Sequence, residues 1–313
     1  MVVLGGVTRL TESGLSIVEW QPLAGAIPPF SHAEWQALFD AYRQTPEFKT
    51  YNFWMGLADF RAIFWMEYAH RLLGRLIGVV FLVGLVWLAL RGQIRGRLGL
   101  QLGIAFVLGA AQGALGWYMV RSGLSDRPDV SHYRLAAHLM LAVAIYGWLL
   151  WIVLDLSGAR GSAGSGKRFA AVLLCWLAVT MTWGAFTAGL DAGTLYNTFP
   201  LMAGDLVPPG AFDLEPTALN LVENGATVQF VHRCLAITFV LLALSFWLRS
   251  RSRPSAWLGA AALVQAGLGI ATLLSVVAVP IAAAHQAGAM ILFSLAVWCL
   301  HALSSKAYSN PRS

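Results

Sequence analysis

Seven apolar runs organise the chain, at about 62–90, 98–120, 133–154, 168–188, 228–248, 256–279 and 281–303. A helix rises about 1.5 Å per residue, so about 20 apolar residues cross the hydrocarbon of a bilayer. Each run therefore predicts a membrane-spanning helix. The opening stretch MVVLGGV is apolar but short before Arg9, and predicts the outer end of a further helix whose beginning is truncated. The pattern predicts an all-α, polytopic membrane bundle of eight helices, the first one truncated.

The polar residues between the runs sort by charge. Arg91, Arg95 and Arg97 occupy one connection, Arg160, Lys167 and Arg168 a second, and Arg249, Arg251 and Arg253 a third. The segment 189–227 has no Lys or Arg but carries Asp191, Asp205, Asp213, Glu215 and Glu223. The positive-inside rule predicts a cytoplasmic location for the basic loops and the C-terminus. Two segments on the opposite side are long. In 11–61, Ser31 and Glu34 have capping-box spacing, and Trp35, Leu38, Phe39 and Tyr42 follow at helical spacing. They predict a short amphipathic helix lying on the bundle or in the outer interface. Segment 189–227 is rich in Gly and Pro and is expected to cap the other half.

Composition supports the membrane reading. Of 313 residues, 58% are hydrophobic and 12% charged, against about a quarter charged in soluble domains; mean hydropathy is +0.65. The net charge of +6 lies in short clusters between apolar runs, which argues for cytoplasmic loops and against nucleic acid as a partner. Cys175, Cys234 and Cys299 are far apart inside apolar runs. They imply no disulfide, and the lack of a CxxCH sequence excludes covalent c-type haem.

An internal repeat is legible. QGALG (112–116) matches QAGLG (265–269), EYAHR (67–71) matches QFVHR (229–233), RLAAHLMLA (134–142) has its counterpart in AAAHQAGAM (282–290), and GGVT (5–8) aligns with GAFT (184–187). The order is the same each time. This predicts two pseudosymmetric four-helix halves, 1–154 and 168–313, joined by a cytoplasmic linker, 155–167. Each half begins on the same side, so the repeat is parallel.

His70, His138, His232 and His285 fall in the first two or three turns of helices expected to run from the outer to the inner side. They share one depth, in the outer half of the bilayer, where an ionisable residue is costly and faces a functional interior. Two imidazoles facing each other across a bundle can hold haem iron from both sides. The repeat pairs His70 with His138 and His232 with His285. A lone histidine in such a place is more often a hydrogen-bonded core residue, but four at equivalent repeat positions argue for ligands. Zinc fits less well, because no thiol or carboxylate cluster completes four donors. Arg71, Arg75, Arg134 and Arg233 accompany the same helices and are candidates to hold haem propionates; snorkelling to the interface is the plainer alternative. His32 and His132 are expected on the outer surface and His301 near the inner end of the last helix, without a role. Glu67 stands three residues before His70, where Gln229 stands before His232. A carboxyl there can move protons or stabilise a cation, or serve an arginine or a haem ligand as a partner. The difference points to a reactive first half and an electron-holding second half. A two-haem b-type electron carrier and a haem-handling protein are the alternatives; ligands at one depth speak against transfer across the bilayer.

These motifs resemble those of the haem A synthase family, in its mitochondrial and alphaproteobacterial branch. The resemblance is carried by GGVTRLTESGLS (5–16), PPFSHAEW (28–35), FRAIFWMEYAHRLLGR (60–75), QGALGWYMVRSGL (112–124), GAFTAGLDAGTLYNTFPLMAG (184–204) and QFVHR (229–233), and covers nearly the whole chain. The branch with a cysteine pair in the first outer loop matches less well, since 11–61 contains no Cys. The resemblance implies an oxidoreductase of the bacterial inner membrane with its haem sites toward the outer side. It would oxidise the C8 methyl of haem O through two hydroxylations to a gem-diol, which loses water to the formyl group of haem A, for cytochrome c oxidase. It implies His70 and His138 as ligands of the substrate haem with Glu67 beside it as the catalytic residue, and His232 and His285 on the iron of a haem b that relays electrons. An electron donor or acceptor, haem O synthase and a second copy of the chain are the partners to consider; glycine-rich helices such as 98–120 allow close packing.

Overall fold

A computed structural model describes residues 1–22, 24–125, 127–158 and 166–304. Arg160, most of the linker 155–167 and the last residues of the C-terminus lie outside these. Ten helices follow in order among the described residues: α1 Val2–Leu10, α2 His32–Tyr42, α3 Leu57–Leu90, α4 Gly96–Ser125, α5 His132–Leu156, α6 Lys167–Gly189, the single turn α7 Asn220–Glu223, α8 Gly225–Ser250, α9 Arg253–Leu274 and α10 Val279–Ala302. No strand is present among these residues. Seven of the helices, α3 to α6 and α8 to α10, are long and apolar enough to cross a membrane, and they coincide with the seven apolar runs.

Local chemistry sets most of the boundaries. Ser31 accepts from the Glu34 N–H while Glu34 accepts from the Ser31 N–H, which closes the expected capping box of α2. The Asn224 side chain caps α8, and Ser252 caps α9 with Pro254 in its first turn. Three boundaries differ from the sequence expectation by five residues; α4 runs on to Ser125, past 120. α3 begins at Leu57, not 62, because Asp59 accepts the Gly56 N–H at 3.0 Å and starts the helix early. α9 ends at Leu274, not 279. Val276 and Val277 adopt φ of 52° and 60°, and the Val277 N–H folds back to the Thr272 carbonyl at 2.8 Å. Both valines are apolar, so hydropathy reads through a turn that only the backbone reveals.

The described residues form two compact units, Met1–Leu141 and Ala142–Ser313, with the boundary inside α5. In the first, Trp35, Phe39 and Tyr42 of α2 pack with Phe48 on Phe60, Phe64 and Tyr68 of α3. Of the two places expected for α2, it takes the one on the bundle: the extra turns of α3 give it an aromatic bed. Further along α3, Val79, Val80 and Val83 are exposed, as suits a face covered by lipid. In the second unit α6 packs on α8, α8 on α9, α9 on α10 and α10 on α6. Gly147 of α5 brings Phe293 of α10 close, with a Cβ there only 3.0 Å from the ring, and Tyr146 meets Ser294 at 2.7 Å.

Candidate functional site

The first unit contains His70 and His138, the second His232 and His285. His138, His232 and His285 stand about two turns into α5, α8 and α10, as expected. His70 stands nearly four turns into α3 because that helix starts early. Within each pair the two rings lie in electrostatic reach of one another.

Every one of the four rings rests on a glycine of another helix. A Cβ at Gly5 of α1 would be 3.2 Å from His70 Nε2, and one at Gly116 of α4 would be 2.9 Å from His138 Cε1. In the second unit a Cβ at Gly184 of α6 would be 3.0 Å from His232 Cε1, and one at Gly269 of α9 would be 3.0 Å from His285 Cε1. At Gly116 a Cβ would be closer than real Cβ atoms come, and at the other three it would be tighter than most, so each imidazole would have to shift to admit a side chain there. Gly5 and Gly184 begin the matched segments GGVT and GAFT, and Gly116 and Gly269 end QGALG and QAGLG. The repeat in sequence is therefore a repeat in geometry. It extends to the backbone: α1 and α6 both exit through a left-handed residue, Glu12 and Asp191, each with φ 51°.

His232 Nδ1 lies 3.1 Å from the Thr180 carbonyl oxygen. A carbonyl only accepts, so Nδ1 carries the proton and Nε2 keeps its lone pair. Gln112 and Gln265, which align the repeat in sequence, touch two of the other three rings, those of His138 and His285. Their amide nitrogens lie 3.2 Å from His138 Nδ1 and 3.1 Å from His285 Nδ1.

Glu67 is buried and fully engaged. It accepts from Ser16 Oγ at 2.6 Å, the Ile17 N–H at 2.8 Å, and Arg71 Nε and Nη2 at 2.9 and 2.6 Å. Arg71 also donates to the carbonyls of Ile17 and Glu19. In the second unit Arg233 donates to the carbonyls of Tyr196 and Thr198, and the amide nitrogen of Gln229 to that of Tyr196. The loop after the first helix of each repeat is thus pinned by the arginine that follows the histidine. Arg75 donates to Pro22 and Gln21 carbonyls, and Arg134 to that of Tyr118 while stacking on its ring. Arg75 Nη1 and Arg233 Nε are buried without a hydrogen-bond partner.

His32 is exposed, as expected. His132, expected on the outer surface, is buried: it opens α5 beside Ser131, whose N–H is held by Ser122 of α4 at 2.8 Å. His301 is buried near the end of α10, with Nε2 2.8 Å from Asp155 and its ring on Trp151. Among the described residues no three of His, Cys, Asp and Glu are grouped as a metal site would require.

Residues 1–297 match a family described as cytochrome oxidase assembly protein. The chain is 51% identical over 317 residues to a protein named heme A synthase from Nitrosospira multiformis, covering 97% of this chain and 89% of that one. It is 49% identical to the heme A synthase of Paramagnetospirillum magneticum, covering 98% and 90%. To that of Rhodospirillum centenum it is 50% identical, covering 97% and 84%.

Proposed function

The chain belongs to the cytochrome oxidase assembly protein family, and from that premise we propose that it is a haem A synthase. The reaction is oxidation of the C8 methyl of haem O by successive hydroxylations to the formyl group of haem A, which serves cytochrome c oxidase. The observation that carries the reading is the set of four imidazoles, two per repeat, each seated on a repeat-equivalent glycine. Two imidazoles are the donors that a porphyrin iron would take from a protein, and each pair would supply them.

We assign His70 and His138 to the substrate haem and His232 and His285 to the iron of a resident haem b. The residues fit that group: the tautomer of His232 leaves Nε2 for metal, and glycines make room for the rings. Haem b, when bound, supplies one-electron transfer. The protein's own contributions are positional and electrostatic. Glu67 stands one turn from His70, paired with the Arg71 guanidinium and hydrogen-bonded by the Ile17 N–H. Such a carboxylate is placed to stabilise positive charge developing on the substrate edge; four hydrogen bonds from Ser16, Ile17 and Arg71 hold it in place. Arg75 and Arg233, with their spare nitrogens, are the best placed of the four arginines for a propionate. Arg71 and Arg134 hold loops first. The family suggests the bacterial inner membrane, and the charge pattern supports basic loops inward and haem toward the outer side. An electron donor or acceptor and the source of haem O are the partners this chemistry requires.

The test is chemical. Haems extracted from cells that express the protein with a source of haem O are separated by reverse-phase chromatography. A formyl haem with the native chain and none with Glu67→Ala is the expected result. Unchanged haem O beside a normal b-type spectrum would make the protein an electron carrier instead.

A further inference from the structure

α4 is basic at both ends. Arg95 and Arg97 stand at its start, in a connection that the positive-inside rule assigns to the cytoplasm. Arg121 stands near its other end, and Arg127 and Arg134 follow. A helix that crosses a bilayer has one end inside, so the rule accounts for the first group and leaves the second without a reason.

The second group is gathered in one place. Arg121 and Ser122 of α4, Arg127 of the connection, Ser131 and Arg134 at the start of α5 line a cleft of about 400 Å³ together with Tyr118. Its walls are fixed to each other. Ser122 Oγ accepts the Ser131 N–H at 2.8 Å. A Cβ at Gly123 would lie 2.7 Å from Leu15 and 3.3 Å from the Asp129 main chain, so the segments meet closely there. Two guanidiniums are held against rings. That of Arg134 lies 3.7 Å from the centre of Tyr118 while donating to the Tyr118 carbonyl, and that of Arg121 lies 5.6 Å from the centre of Trp117. Among the described residues none of the three arginines is paired with a carboxylate. Asp129 of the same connection accepts from Tyr51 instead, at 3.2 Å; Asp126 lies outside the described residues.

The surroundings say which anion suits the cleft. Trp20, Trp117, Tyr118 and Tyr133 are exposed around this end of α4 and α5, with the rings of Trp20 and Trp117 5.4 Å apart. Exposed Trp and Tyr mark the headgroup level of a bilayer. Arg121 lies about 140° round α4 from Gly116, the seat of His138, which favours a lipid over a porphyrin carboxylate. We propose that the cleft binds the phosphodiester headgroup of an anionic phospholipid, with Arg121 and Arg127 as its principal cations. The planar fork of arginine matches phosphate oxygens. Arg134 stands one turn before His138 on α5, so bound lipid braces the end of the helix that carries this histidine.

The experiment is native mass spectrometry of the purified full-length protein in detergent, titrated with dioleoyl phosphatidylglycerol. The native chain is expected to retain a first lipid. Its affinity should fall about 30-fold in the double variant Arg121→Gln, Arg127→Gln, at about 5-fold for each arginine near a charged lipid surface. Both side chains are exposed, so the fold does not depend on them. The double variant Arg95→Gln, Arg97→Gln makes the same charge change at the other end of α4 and should keep the first lipid. Equal losses in the two double variants would assign retention to net charge and overturn the proposal. Undiminished retention in the first double variant would overturn it too. Excess inorganic phosphate is the second arm: lipid that stays bound supports a headgroup site, and lipid displaced by phosphate makes the cleft a free-anion site and overturns the lipid assignment. Dioleoyl phosphatidylcholine, whose choline balances its phosphate, should bind more weakly; equal affinity would overturn the preference for an anionic lipid.

Discussion

Glu67 and Arg71 form an ion pair one turn apart on α3, Oε1 to Nη2 at 2.6 Å, with Glu67 buried. Both also hold the chain at Ile17, Glu67 through its N–H and Arg71 through its carbonyl. The pair thereby ties the segment after α1 to the helix that bears His70.

Removing one side of such a pair leaves the other uncompensated, at a cost of about 3–5 kcal/mol where both are buried. Glu67→Ala is expected to lower the thermal midpoint and open residues 11–22 to protease. Glu67→Gln keeps the shape without the charge. If the carboxylate contributes about 2.7 kcal/mol at the reacting edge, formyl haem production falls about 100-fold in that variant while the fold survives. A Gln variant that works at the native rate would show that the charge plays no part in the chemistry.

The glycine seats give a steric prediction. Gly184→Ala and Gly269→Ala place a methyl 3.0 Å from His232 and His285. Overpacking costs about 1–3 kcal/mol, so haem b affinity should fall about 5- to 150-fold. Gly267→Ala on the same helix as Gly269 meets nothing within 4 Å and is the control. Haem per protein after dilution measures both; equal retention in seat and control variants would contradict the seating.

Glu47 predicts a pH dependence outside the membrane helices. Burial pushes its carboxyl up to about 8, opposed by the Tyr42 hydroxyl that donates to it at 2.9 Å and reinforced by the charge of Glu67. Its pKa is higher folded than unfolded, so the native state binds more protons between the two values. Stability is then full below about 4.5 and falls as pH rises toward about 8. Protection of α2 from proteolysis should weaken over that range in the native protein. The slope should flatten in Glu47→Gln; a slope of the same size in the variant would assign it to another group.

His301 and Asp155 make a second polar tie, at 2.8 Å, within the second unit. Asp155→Leu leaves a buried imidazole nitrogen without its acceptor, a loss of about 1–3 kcal/mol. The thermal midpoint should drop with haem content unchanged below it. A drop in haem content at low temperature would instead link this tie to the histidine pair.

The sequence by itself determined the number and place of the spans, the cap of α2, the repeat and the four histidines. These are local or periodic properties: hydrocarbon rewards an unbroken apolar run, Ser31 and Glu34 act over three residues, and a repeat is identity at matched positions. Only the tertiary structure decided where α9 stops, that His132 and Glu47 are buried, what each arginine holds, and that the conserved spacing of the repeat places glycine under every imidazole. Arg71 meets Ile17 across 54 residues of chain, and Gln265 meets His285 across 20. Hydropathy carries no record of such meetings, because a hydrogen-bond partner is chosen by packing in space and not by the neighbours of a residue along the chain.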